Sequence, residues 1–271
     1  MGFDYEKYIR PGKLPHIWCP GCGHGIVMKG LIRAIDAVGL SKDMTSIVSG
    51  IGCASRLPGY LDFCTLHTTH GRGVAFATGI KMAKPEMNVI CVGGDGDGVA
   101  IGGNHFIHAC RRNIDITYLI MNNHIYGMTG GQFSPTTPTG AKASTTPYGN
   151  PDPPFDIAKL AIGAGATFVA RGTAYHASQI ERLLTEAIRH KGFSVVEILD
   201  SCPTTYGRRN KYKSVIEMMN HLKDSAVPIT AAEKMAAEQL KGKVITGVLY
   251  KESKPEYVAE YRKLVERVQA G

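Results

Sequence analysis

Short apolar runs rich in β-branched residues recur along the chain at "TSIVSG" (45–50), "NVICVGG" (88–94), "ITYLIMNN" (116–123), "TFVAR" (167–171) and "FSVVEIL" (193–199). None alternates polar with apolar positions along its length, which is the pattern of strands covered on both faces. Between them the apolar spacing becomes helical, over 25–38, 73–83, 103–112, 155–163 and 176–190. Strand–helix alternation of this kind predicts an open, mostly parallel α/β sheet with helices on both faces. Ligands of such folds collect beyond the carboxyl ends of strands, so the loops after "VICVGG", "LIM" and "EIL" are where chemistry is expected.

Two segments depart from this rhythm. Residues 124–154, "HIYGMTGGQFSPTTPTGAKASTTPYGNPDPP", read as one long loop, and a loop of that length in a compact domain is functional or flexible. From residue 226 the chain turns Ala-, Lys- and Glu-rich and closes on the helical "PEYVAEYRKLVERVQA". Residues 1–225 are therefore expected to form the α/β domain, and 226–271 a helical tail that packs on a partner.

With 271 residues, 44% hydrophobic and 20% charged, the composition is that of a globular protein with a substantial core. No apolar stretch approaches the ~20 residues of a membrane span, and the N-terminal "MGFDYEKYIR" carries no targeting pattern, so a cytoplasmic location is expected. In a reducing compartment seven cysteines point to metal ligands or buried apolar groups and not to disulfides. The net charge of +8 is dispersed, with its densest run in "GRRNKYK" (207–213), and no nucleic-acid-binding motif accompanies it.

Candidate chemistry concentrates at two strand ends. "VICVGGDGDG" ends a strand at Gly94 and follows it with Asp95, while the next strand ends in Asn122-Asn123. Adjacent strand ends then offer oxygen ligands side by side, a donor set suited to Mg²⁺ with substrate phosphates. A calcium loop is excluded because its twelfth position from Asp95 is Phe106, where a bidentate Glu is needed. A dinucleotide fingerprint is excluded because its third glycine falls on Val99.

The cysteines make a second constellation. Cys19 and Cys22 form a C-x₂-C in "IWCPGCGHG", and a four-thiolate site needs two more ligands. Cys91, mid-strand, and Cys110, on a helix, read as small buried groups, and periodicity leaves Cys64 open. Cys53 and Cys202 both stand in strand-end loops, where they can converge on the pair. On spacing alone such a site suits zinc or a [4Fe-4S] cluster equally.

Gly94-Asp95-Gly96, a 25-residue gap and Asn122-Asn123 resemble the diphosphate-and-magnesium motif of thiamine diphosphate enzymes. Together with "WCPGCGHG", "GIGCASR", "HTTHGRG" and "NNHIYGMTGGQFSPTTPTG", residues 16–210 resemble the β subunit of 2-oxoacid:ferredoxin oxidoreductases. The resemblance implies a thiamine diphosphate-binding fold, with Asp95, Asn123 and the Ile125 carbonyl on Mg²⁺. It implies one [4Fe-4S] cluster on Cys19, Cys22, Cys53 and Cys202. Gly94 and Gly96 would admit the diphosphate, Asn104 would lie near the phosphates, and Tyr126, Gly127, Met128 and Thr129 beside the thiazolium. His70, Arg72 and Gln132 are the candidate catalytic contacts.

The "YGMTGGQ" segment most resembles the 2-oxoglutarate-using branch, since relatives acting on other oxoacids often carry Lys where this chain has Gly130. The implied reaction converts 2-oxoglutarate and CoA to succinyl-CoA and CO₂, with electrons passing to ferredoxin. Pyruvate or a broad oxoacid range is the alternative, as is a redox-silent decarboxylase half with structural zinc. No Glu stands in a motif that would activate the cofactor, so an α subunit is expected to supply it. The run with Arg208, Arg209, Lys211 and Lys213 reads as a solvated basic surface, and the functional alternative is that it steers an acidic ferredoxin.

Overall fold

In a computed structural model, which describes residues 2–271, the expected runs become strands of one eight-stranded sheet. The chain opens with α1 (His24–Val38), then β1 (Thr45–Ser49), β2 (Cys64–His67), α2 (Gly73–Ala83) and β3 (Asn88–Gly94). It continues through α3 (Gly103–Arg112), β4 (Thr117–Asn122), a two-stranded hairpin of β5 (Ile125–Tyr126) and β6 (Gln132–Phe133), α4 (Ile157–Gly163) and β7 (Phe168–Thr173). Next come α5 (Ala177–Arg189), β8 (Ser194–Leu199), α6 (Val215–Ser225), β9 (Ala226–Pro228), α7 (Ile229–Ala232), α8 (Ala237–Leu240), β10 (Val244–Lys251) and α9 (Tyr257–Gln269).

The strand order is β2-β1-β3-β4-β8-β7-β10-β9, parallel throughout except where β10 runs against β7. Central strands β1, β4 and β8 are buried at every position, which is why they lack alternation. Edge strand β2, "CTLH", was not among the apolar runs because half of it faces solvent. Apolar clusters lie on both faces of the sheet, one under α1 and α5 and the other under α2, α3 and α4. Helices α1 and α5 approach closely at Gly30, where a Cβ would come within 2.6 Å of the Ile180 side chain.

The C-terminal segment is not simply helical. Its "KVITGVLYK" stretch is β-branched and aromatic, and it forms β10, which joins the main sheet beside β7. Val258 on α9 then enters the core cluster under the far face, so the segment beyond residue 225 completes the domain. Tyr261, Leu264 and Val268 on α9 remain exposed. Among the described residues no helix is long and apolar enough to cross a membrane.

Candidate active site

The carboxyl ends of β1, β3 and β4 and the start of α1 surround a cavity lined by Gly94, Asp95, Gly96, Asn123 and residues 125–129. Asp95 follows β3 directly and is 1% exposed. Its Oδ2 accepts from Ser134 Oγ at 2.5 Å and Thr136 Oγ1 at 2.7 Å. Burial pushes the Asp95 carboxyl above the ordinary carboxylate range, against the pull of those two hydroxyls and of His124.

Asn123 Oδ1 is buried and has no hydrogen-bond partner. Leaving such a group unpaired costs about 1–3 kcal/mol, so the position asks for a ligand. A carboxylate, an amide oxygen and the Ile125 backbone at one cavity make a hard-oxygen donor set, and these residues fit a magnesium ion. Between Asn123 and Ile125, His124 adopts φ 63°, a left-handed conformation rare outside glycine. Its N–H donates to Asn122 Oδ1 at 3.1 Å, and its carbonyl accepts from Thr137 Oγ1 at 2.6 Å.

Gly96 is required by contact: a Cβ there would lie 2.2 Å from the Tyr126 ring, whose hydroxyl donates to the Gly96 carbonyl at 3.1 Å. This is a cradle without side chains at the helix-like turn after β3, the kind of surface to which a diphosphate can approach. One residue on, Asp97 is 4% exposed and binds the loops after β1 and β2 together. Its Oδ1 accepts from the Ile51 N–H at 3.0 Å and the Gly71 N–H at 2.7 Å, and the same oxygen lies 2.7 Å from His70 Nδ1.

The thiols converge beside this cavity. Trp18 Nε1 donates to the Cys53 carbonyl at 2.7 Å, and Ser201 Oγ donates to the Gly21 carbonyl at 3.1 Å. These two bonds dock the loop carrying Cys19 and Cys22 onto the ends of β1 and β8. Gly127 lines the cavity, and a Cβ there would sit 3.6 Å from both Cys53 Sγ and Cys202 Sγ. Burial pushes the Cys53 thiol up, and the neighbouring Cys202, Cys22 and Cys19 add to that while His24 opposes it. Thiols gathered in this way form a donor set that could hold a metal centre as thiolates.

Behind the thiols His24 and Asp200 form a fully buried ion pair. Burial pulls the His24 imidazolium down, yet Asp200 outweighs it and holds the group well above the ordinary histidine range. Gly23 has no room for a side chain, since a Cβ would come to 1.9 Å of Asp200 Oδ1.

Residues 50–198 match the family model "Thiamine pyrophosphate enzyme, C-terminal TPP binding domain". The chain is 50% identical over 264 residues to 2-oxoglutarate synthase subunit KorB of Methanocaldococcus jannaschii, covering 97% of this chain and 98% of that one. With the KorB subunit of Archaeoglobus fulgidus it shares 52% over 271 residues, covering 100% of this chain and 98% of the relative. The fold superimposes with TM-score 0.88 and 38% identity on a solved 2-oxoglutarate:ferredoxin oxidoreductase from Magnetococcus marinus with 2-oxoglutarate, coenzyme A and succinyl-CoA bound, covering 98% of this chain and 91% of that one. The chain belongs to the β subunits of the 2-oxoacid:ferredoxin oxidoreductases.

In this β subunit the sequence motifs meet unevenly. His70 and residues 125–129 line the cavity with Asp95 and Asn123, whereas Arg72, Asn104 and Gln132 do not. Arg72 donates to the carbonyls of His70 and Ile101, each at 3.3 Å, and Asn104 is exposed on the first turn of α3. Gln132 is engaged with Thr129, donating to its carbonyl at 2.8 Å and accepting from its hydroxyl at 2.6 Å. Cys91 and Cys110 are buried, as their periodicity predicts, and Cys64 is exposed on β2. Arg208, Arg209, Lys211 and Lys213 are exposed, and none forms an ion pair among the described residues.

Sequence reasoning passed over Asp97, His24, Asp200, Ser134 and Thr136. Asp97 had a visible signal as the second acid of "GDGDG", and Ser134 and Thr136 as the hydroxyls of "SPTT". Nothing local marks His24 or Asp200.

Proposed function

We propose that this β subunit, joined to an α subunit, oxidatively decarboxylates 2-oxoglutarate with CoA to succinyl-CoA and CO₂, and passes the electrons through a [4Fe-4S] cluster on Cys19, Cys22, Cys53 and Cys202 to ferredoxin. The observation that carries this reading is Gly127, a bare backbone that borders the Asp95–Asn123 cavity on one side and two of the four thiols on the other. A redox centre held by those thiols would stand beside the cavity, across a residue that carries no side chain.

When bound, thiamine diphosphate supplies the carbon nucleophile and electron sink, Mg²⁺ clamps its diphosphate, and the cluster accepts single electrons. Asp95, Asn123 and the Ile125 carbonyl hold the ion in this reading, and Gly96 admits the diphosphate against Tyr126. Asp97 Oδ1, already accepting from two backbone N–H groups, accepts from His70 Nδ1 as well. Nε2 of His70 is then left to hold or release a proton at the substrate.

No glutamate lines the cavity among the described residues, which supports an activating carboxylate supplied by the α subunit. Gly130 supports 2-oxoglutarate as the oxoacid: its φ of 113° is strained for any side chain, so the Lys of other branches is disfavoured there. The exposed Cys19 and the exposed basic run after Cys202 support electron exit toward an acidic ferredoxin in the cytoplasm.

The test is anaerobic co-purification with the α subunit, iron and sulfide analysis, and an oxoacid panel followed by acceptor reduction. Stoichiometric iron and sulfide and a preference for 2-oxoglutarate are expected. Zinc in place of iron, a decisive preference for pyruvate, or full turnover by isolated β would each overturn the corresponding part.

A further inference from the structure

Strand β8 is buried at every position, and a carboxylate stands inside it. Glu197 is 3% exposed, in a strand otherwise made of Ser, Val, Ile and Leu. Arg171, its register partner on β7, donates from Nε to Oε2 at 2.7 Å and also binds Asp156. A buried ion pair gives little stability beyond what apolar packing would give, so this one wants another reason.

The reason lies on the other neighbour, β4. Glu197 Oε1 accepts from Asn122 Nδ2 at 2.8 Å. With its NH₂ committed to Glu197, the Asn122 amide turns its oxygen the opposite way. Oδ1 there accepts from the His124 N–H at 3.1 Å and lies 2.9 Å from Thr136 Oγ1, whose single proton it shares with Asp95 Oδ2. Thr136 Oγ1 is also 2.7 Å from Asp95 Oδ2. One amide therefore anchors both halves of the oxygen site, the left-handed turn between Asn123 and Ile125 and the hydroxyl that braces Asp95. A flipped Asn122 would set its NH₂ against the His124 N–H, donor on donor, and release the turn.

We propose that Glu197 is a positioning residue for the cation site, acting from the far side of β4 by orienting Asn122. This rests on the reading of Asp95 and Asn123 as magnesium ligands. What matters at position 197 is an acceptor for Asn122, and the charge serves to aim it.

The test uses the anaerobic α–β complex, stripped of thiamine diphosphate and Mg²⁺ by chelation, with Mg²⁺ binding measured by calorimetry at saturating thiamine diphosphate. Two variants remove the ion pair without leaving a lone buried charge. In Arg171→Met/Glu197→Gln the acceptor remains, and the Mg²⁺ dissociation constant is expected to stay within threefold of wild type. In Arg171→Met/Glu197→Leu the acceptor is gone, and the constant is expected to rise at least tenfold, with iron content unchanged and kcat restored at saturating Mg²⁺. Equal constants for the two variants overturn the proposal. Should the leucine variant not assemble, Arg171→Met/Glu197→Met, closer to glutamate in shape and equally without a good acceptor, takes its place, where a tenfold loss supports the proposal and binding equal to that of the glutamine variant overturns it. A wild-type complex that binds thiamine diphosphate without any need for Mg²⁺ overturns the parent reading of the site, and this proposal with it.

Discussion

His70 Nδ1 and Asp97 Oδ1 stand 2.7 Å apart, and that single oxygen also takes the N–H groups of Ile51 and Gly71. The loops after β1 and β2 thus share one acceptor supplied by the turn after β3, and the imidazole at the cavity is aimed by the same atom that holds the floor together. Removing the acceptor with Asp97→Ala should lower kcat roughly 10²-fold, the low end of what positioned acid–base groups contribute. Asp97→Asn keeps an oxygen for the backbone donors and should fall between the two. Steady-state rates with an artificial electron acceptor decide it, and an unchanged kcat in the alanine variant removes His70 from the chemistry.

Gly96→Ala should weaken thiamine diphosphate binding, because the new methyl group comes to 2.2 Å of the Tyr126 ring. Overpacking of this kind costs about 1–3 kcal/mol, or roughly 5- to 150-fold in affinity if all of it falls on the bound state. Calorimetric titration of the α–β complex measures the loss. Pairing the change with Tyr126→Ala should recover part of it, and a double variant no better than the single one would locate the strain elsewhere.

Cys53→Ser and Cys202→Ser should each empty the complex of iron and sulfide and abolish its visible absorption, since both sulfurs flank Gly127. Cys64→Ser, on the exposed edge strand, and Cys91→Ala, in the core, should keep the full iron content. Retention of the cluster by the Cys53 variant would assign the fourth ligand to another cysteine.

Raising the salt concentration should slow reduction of ferredoxin while leaving an uncharged artificial acceptor unaffected, because screening acts on long-range attraction between exposed charges. Charge reversal of Arg208 and Arg209 should reproduce the effect at low salt. Equal salt sensitivity with both acceptors would exclude the basic run from ferredoxin docking.

Acid should destabilise the fold through Asp115. Burial would raise its carboxyl, but Lys81 at 2.8 Å and Lys191 at 3.3 Å outweigh that and hold it below the ordinary range. A carboxyl lowered in the folded state contributes stability that is full above its unfolded pKa and is lost as the pH falls through the folded one. Lys81→Met leaves that half-buried carboxylate with Lys191 as its remaining cation, at a cost of about 1–3 kcal/mol near neutrality. Thermal unfolding from pH 7 to pH 3 should show a lower midpoint for the variant at neutral pH and a shallower decline on acidification. Parallel curves would mean the pair does not govern the acid limb.

The strands β1, β3, β4, β7 and β8 and the helices between them were legible in the chain, because burial on both faces leaves an unbroken apolar run that needs no knowledge of neighbours. So were the Asp95 and Asn123 strand ends and the loop character of Cys53 and Cys202, since strand ends and turn glycines are local features. The strand β10 was hidden in a charged, Ala-rich segment, and only its fit beside β7 makes it part of the sheet. The Asp97–His70, His24–Asp200 and Glu197–Asn122 contacts join residues 27, 176 and 75 positions apart. Periodicity and turn chemistry act over a few residues, whereas a buried polar group takes as partner whatever the sheet brings within 3 Å, and that was decided only when the strands aligned their carboxyl ends.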